Sequence, residues 1–85
     1  MKILVFYRER PGTNQSYHDF MKRISDLSVK HEVVDPDSRD GAARSELYEV
    51  LSFPSVALVD DDGRPLAIWR DNLPSPEEIS SYLFV

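Results

Sequence analysis

The chain reads as an α/β fold with the element order β-α-β-α-β-β-α. Three observations carry that reading. Two short apolar runs stand at residues 3–7 and 56–59, a stripe of apolar residues at helical spacing follows the first, and an Asp-Gly turn signal follows the second. Runs that are apolar on both faces mark central strands covered from each side, whereas spacings of three and four mark an amphipathic helix.

Ile3-Leu4-Val5-Phe6-Tyr7 forms the first strand. Arg8-Glu9-Arg10-Pro11-Gly12 ends it, Pro-Gly being a turn signal. Thr13 is a good N-cap, since its hydroxyl can accept from a free first-turn N–H. Tyr17, Phe20, Met21, Ile24 and Leu27 then share one face of a helix over residues 14–27, with His18, Asp19, Lys22 and Arg23 on the rest. Glu32-Val33-Val34-Asp35 is a short strand running into the turn cluster Asp35-Pro36-Asp37-Ser38. Asp37 or Ser38 can cap the next helix, and Asp40 suits its positive N-terminus. That helix is expected over residues 41–51, with Ala43, Leu47, Tyr48 and Leu51 facing inward. Ser52-Phe53-Pro54 interrupts it, and Ser55-Val56-Ala57-Leu58-Val59 is a second buried strand. Asp60-Asp61-Asp62-Gly63 turns the chain back so that Leu66-Ala67-Ile68-Trp69 pairs antiparallel. Ser75-Pro76-Glu77-Glu78 is the clearest local signature: an N-cap serine, proline at the first helical position and a capping-box glutamate. The last helix is expected to bury Ile79, Tyr82 and Leu83. The first half can form a right-handed βαβ unit, and the second a hairpin with a covering helix.

Composition narrows the function. The 85 residues are expected to make one domain, with a core that is real but thin. There is no cysteine, which excludes disulfide staples, Cys-ligated zinc, iron–sulfur centres and thiol catalysis. Fifteen acidic residues face ten Lys and Arg, for a net charge of −5. The basic residues are scattered along the sequence and read as solvated surface, so no nucleic-acid partner is expected. The apolar runs are too short to span a membrane, and the run after Met1-Lys2 is too short for a signal-peptide core. The chain therefore reads as an intact cytoplasmic protein. Asp60, Asp61 and Asp62 lack the alternating pattern of a calcium loop, and neither His18 nor His31 has a second histidine at metal spacing, so no metal or cofactor is expected. His18 points away from Ser16 on a helix, so the two cannot pair as base and nucleophile.

Taken together, the order and length resemble the thioredoxin-like fold in its small, glutaredoxin-sized form. Ile-Leu-Val-Phe-Tyr is similar to the first strand of that fold, which delivers the active-site loop to a helix N-terminus. Ser52-Phe53-Pro54-Ser55-Val56 resembles the segment in which a cis-proline faces the active site. Asp62-Gly63-Arg64-Pro65 with Ile68-Trp69-Arg70 looks like the terminal hairpin, and Leu73-Pro74-Ser75-Pro76-Glu77-Glu78-Ile79 like the start of the last helix. The resemblance implies a four-stranded mixed sheet flanked by three helices.

Redox members of that family place one or two cysteines at the start of the first helix, and this chain departs there. The matching stretch is Thr13-Asn14-Gln15-Ser16, in which Thr13 and Ser16 keep the i, i+3 spacing of the two thiols. A helix N-terminus stabilises a thiolate, but a hydroxyl ionises far less readily and forms no disulfide. Thr13 also reads simply as a cap, and Ser16 as a first-turn polar residue. The functional reading is a face of Thr13, Ser16, Phe53 and Pro54 that binds a peptide or protein partner, with Phe53 as either a lid or a core residue. The resemblance implies a cis bond before Pro54. Two other readings stand beside it. One is a small homo-oligomeric structural or assembly protein, a homodimer joined through an edge strand or the apolar C-terminal Tyr82-Leu83-Phe84-Val85. The other is a glutathione-using enzyme with Tyr7 and Ser16 as its candidate groups, although such enzymes add a helical domain absent here.

Overall fold

The two apolar runs lie side by side at the centre of one sheet. A computed structural model describes residues 1–8 and 15–83. The elements are β1 (Lys2–Phe6), α1 (Gln15–Ile24), β2 (Lys30–Val34), α2 (Arg39–Leu47), β3 (Ser55–Val59), β4 (Pro65–Trp69) and α3 (Pro76–Leu83). The strand order is β2-β1-β3-β4. β1 runs parallel to β2 and antiparallel to β3, and β3 pairs antiparallel with β4, so the sheet is mixed.

Strand side chains alternate between the two faces, and each face has its own core. Ile3, Val5, Val56 and Leu58 pack with Phe20 and Ile24 of α1 and Ile79 of α3. Leu4, Phe6, Ala57 and Val59 pack on the other face with Val34, Tyr48 and Val50 around α2. Both central strands are therefore covered from both sides, which is why their sequences are apolar apart from Lys2 and Ser55 at their starts. In α3 the Ser75 hydroxyl accepts from the Glu78 N–H at 3.2 Å, as an N-cap should. Ile79 is buried, Leu83 half-buried, and Tyr82 is 42% exposed with its ring edge against Trp69. Tyr82 thus lies at the rim of the core and not inside it.

The second helix differs most from expectation. Ser38 is its cap, accepting from the Gly41 N–H at 2.9 Å, so α2 begins at Arg39. It ends at Leu47 because Glu49 enters the left-handed region at φ 55°. The Glu49 N–H then reaches the Glu46 carbonyl and the Val50 N–H the Ser45 carbonyl, a paired helix stop. Arg70 donates from Nε to the Glu49 carbonyl and from Nη2 to the Tyr48 carbonyl, each at 3.1 Å. It thereby places a cation where the helix dipole is negative. This termination turns the inward face to Gly41, Ser45 and Tyr48, while Ala43 is exposed and Leu47 and Leu51 stand 71% and 90% exposed.

Ser45 contributes an unusual group to that face: among the described residues its buried hydroxyl has no hydrogen-bond partner. An orphaned buried hydroxyl costs stability, and alanine is the better helix former. Ser45→Ala is expected to raise the unfolding free energy by about 1 kcal/mol in urea titrations; a loss of stability would show that the hydroxyl has a partner.

At the far edge of the same face, Glu32 of β2 takes a fork from Arg44 of α2, at 2.6 and 3.3 Å, and the Lys2 Nζ at 2.5 Å. The hydrogen bonds from Arg44 and then Lys2 hold its carboxyl down to about 2, from an ordinary 4.5. A carboxylate with a depressed folded pKa stabilises the fold fully above pH 4.5, and the contribution is lost as pH falls toward 2. Glu32 is more than a third exposed, so solvent screens the gain to about 1 kcal/mol. Glu32→Gln should lower stability by that amount at neutral pH and flatten the acid limb of the stability profile. An unchanged acid limb would remove this network as its cause.

Candidate functional site

Three loops meet beyond the end of the sheet where β1 finishes. Phe6 sits in register with Val34 at the end of β2 and with Ser55 at the start of β3. The chain leaving β1, the turn after β2 and the loop before β3 are therefore neighbours. Tyr7 extends the pairing, its N–H donating to the Val34 carbonyl at 3.2 Å. Its ring stacks on that of Tyr17 in the first turns of α1, with centroids 3.6 Å apart and planes within 5°. Tyr17 in turn meets His18 edge-on at 5.4 Å. The stack ties the end of β1 to the start of α1, and both tyrosines pack against the core beneath.

Arg8 joins the other two loops. Its guanidinium forks onto Asp37, from Nε and Nη2 at 3.0 Å each, and lies over the Phe53 ring at 5.1 Å. One side chain thus bridges the turn after β2 to the loop before β3, using the planar fork and the flat face that distinguish arginine from lysine. Phe53 is half-buried: it packs against the α2-side core while its upper face meets Arg8, so it belongs to the core and the surface together. The Phe53–Pro54 peptide bond is cis. Ser55 holds this loop from below, its hydroxyl donating to the Ser52 carbonyl at 2.7 Å and accepting from the Asp71 N–H at 2.8 Å.

Of the residues singled out in the sequence, Phe53 and Pro54 stand on this face and Ser16 is exposed in the first turn of α1. Thr13 lies outside the described residues. Tyr7 has its ring against Tyr17. Sequence reasoning missed Arg8 and Asp37, which are 29 positions apart and carry no local signal of their contact. Among the described residues, no group of three or more His, Asp or Glu side chains is placed to hold a metal ion. No helix among them is long and apolar enough to cross a membrane.

A solved structure shares this architecture. Thioredoxin 1 from the thermophilic eubacterium Thermosipho africanus TCF52B superimposes with a TM-score of 0.72, covering 98% of this chain and 94% of that one, at 19% identity. The chain has a thioredoxin-like fold. No protein-family model and no curated protein sequence matches it. The thioredoxin-like fold here is built without any cysteine, so thiol–disulfide exchange of the thioredoxin type has no atoms to proceed through.

Proposed function

We propose that this chain is a non-redox binding module that recognises an extended peptide or protein segment at the face of Thr13, Ser16, Phe53 and Pro54. The observation that carries the reading is a thioredoxin-like fold in a chain with no cysteine. The scaffold persists while both thiol positions, in the alignment the resemblance implies, are hydroxyls. Such a face retains donors and acceptors for a peptide and the positive end of α1, but no nucleophile of the thiol kind. Arg8 over Phe53 adds a cation and an aromatic surface beside Pro54.

Two thiols introduced as Thr13→Cys with Ser16→Cys should form a reversible disulfide, read by mass shift and by protection from alkylation. Failure to cross-link under oxidation would mean the loop does not occupy the family position, and the site would fall with it. Screening of a peptide array, followed by mapping of any bound peptide, tests the rest; binding at a face remote from Ser16 and Pro54 overturns the location.

A second reading has its own support. Leu47 is 71% exposed at the end of α2 beside Pro65 and Ile68 of the edge strand β4, and Leu51, beyond that end, is 90% exposed. Exposed leucines beside an open edge favour a homo-oligomeric assembly protein. Sedimentation showing a monomer at high micromolar concentration removes it.

A further inference from the structure

The three lysines and two histidines of the chain, spread along residues 2–31, line one pair of adjoining clefts. Lys2, Lys30 and His31 line the first, of about 640 Å³, and His18, Lys22 and His31 the second, of about 470 Å³. Ser25 lines both, and His31 stands where they join. The fold produces this convergence. Parallel register sets Lys2 beside Lys30 and Ile3 beside His31, and α1 lies over the same margin of the sheet. The scattered basic residues of the sequence are thus partly gathered into one strip.

The carboxylates of the strip are already engaged. Asp19 accepts from the Gln15 amide at 2.9 Å, and Glu32 is held by Arg44 and Lys2. Lys22 and Lys30 form no ion pair among the described residues. Asp61, which lies toward Lys30, is bonded to the N-terminal ammonium. Net positive charge therefore remains on this strip of a chain whose overall charge is −5.

The strip runs along an open edge. Among the described residues β2 pairs only with β1 and no strand meets the backbone groups on its other side, and Val33 beside them is 44% exposed. We propose that the β2 edge receives an extended acidic polypeptide segment as an added strand, with carboxylates on its α1 side facing Lys22 and the two histidines and a carboxylate on its other side facing Lys30. Main-chain bonds supply the affinity of such an addition, and alternate side chains its selectivity. The acidic remainder of the surface repels the same segment and so directs it to this edge. A phosphate polymer suits the site less well. It has no N–H and C=O sequence to match a strand edge. The inference is independent of the reading at Ser16 and Pro54, because Lys2 and Lys30 open their strands whereas that face lies beyond the ends.

The test is titration of the isotope-labelled full chain at low salt with a blocked hexaglutamate, whose carboxylates reach both faces of the sheet. A blocked hexaglutamine and inorganic hexametaphosphate serve as comparisons. The acidic peptide should shift the amides of residues 30–34 and of Lys22, bind about tenfold tighter than the Gln peptide, and weaken as salt rises. Lys22→Gln with Lys30→Gln should weaken it about tenfold, and Lys22→Glu with Lys30→Glu should abolish it, without changing the melting temperature. Absence of binding, equal binding of the Gln peptide, shifts confined to another face, or tighter binding of hexametaphosphate at this edge would each overturn the proposal.

Discussion

Gly41→Ala is expected to destabilise this protein by about 3 kcal/mol or more, the range of severe steric defects. Ordinary helix propensity predicts the opposite sign, because alanine in place of a helical glycine gains about 1 kcal/mol. Gly41 is buried in the first turn of α2, where the turn after β2 folds back on the helix. A Cβ at this position would lie 1.7 Å from the Asp35 carbonyl oxygen, 2.6 Å from its carbon and 2.7 Å from the Ser38 hydroxyl, and real Cβ atoms essentially never come within 3.0 Å. The obstructing oxygen cannot easily withdraw. It accepts from both the Ser38 N–H, at 3.1 Å, and the Ser38 hydroxyl, at 2.8 Å, and that hydroxyl also caps the helix through Gly41. Relief of the clash must therefore break the cap and its turn together. Against a total stability of roughly 5–10 kcal/mol for a chain of this size, such a loss is large. Gly63→Ala is the control. Gly63 has φ +84°, but an added Cβ would meet only the Tyr48 hydroxyl, at 3.6 Å, so the expected loss is that of the backbone conformation, about 1 kcal/mol. Urea midpoints of the two variants measure the difference; equal, small losses would show that Asp35 does not approach α2 as closely as described.

Ser55→Ala is expected to cost about 2 kcal/mol, the penalty for stranding buried partners of a hydrogen bond. Ser55 is fully buried at the start of β3, and its hydroxyl joins the Ser52 carbonyl to the Asp71 N–H. The substitution leaves both backbone groups without that partner and frees the loop that carries Phe53 and Pro54 from the end of β4. Two readouts separate this from simple loss of a side chain. The Asp71 amide should exchange faster with solvent, and Ser52→Ala, which keeps the carbonyl in place, should stay within about 0.5 kcal/mol of the parent. Full stability in Ser55→Ala would mean that water replaces the hydroxyl without cost.

The contrast between these two sites and the strands shows how far local pattern reaches. Residues 55–59 were legible as a strand to the residue, because a run apolar on both faces between Pro54 and an Asp-rich turn admits little else. The Ser75 cap was equally legible, since cap chemistry involves neighbours three positions apart. The second helix was not. Its leucines have the spacing of an inward stripe, yet the stop at Glu49 and the buried Gly41 rotate Leu47 outward and leave Leu51 beyond the end. The site divides in the same way. Phe53 and Pro54 announce themselves by a recognisable local segment, whereas Arg8 meets Asp37 and Phe53 only because three loops end at one margin of the sheet.

Strand and helix periodicity, turn residues and the missing cysteines are properties of short stretches or of composition, and they carry the α/β order and the exclusion of thiol chemistry before any coordinate is known. The close approach of Asp35 to Gly41, the exposure of Leu47 and Leu51, the Arg8 bridge and the gathering of Lys2, Lys22 and Lys30 along one edge are different in kind. Each depends on how segments pack against one another in space, which sheet register and helix rotation set and which no short window of residues contains.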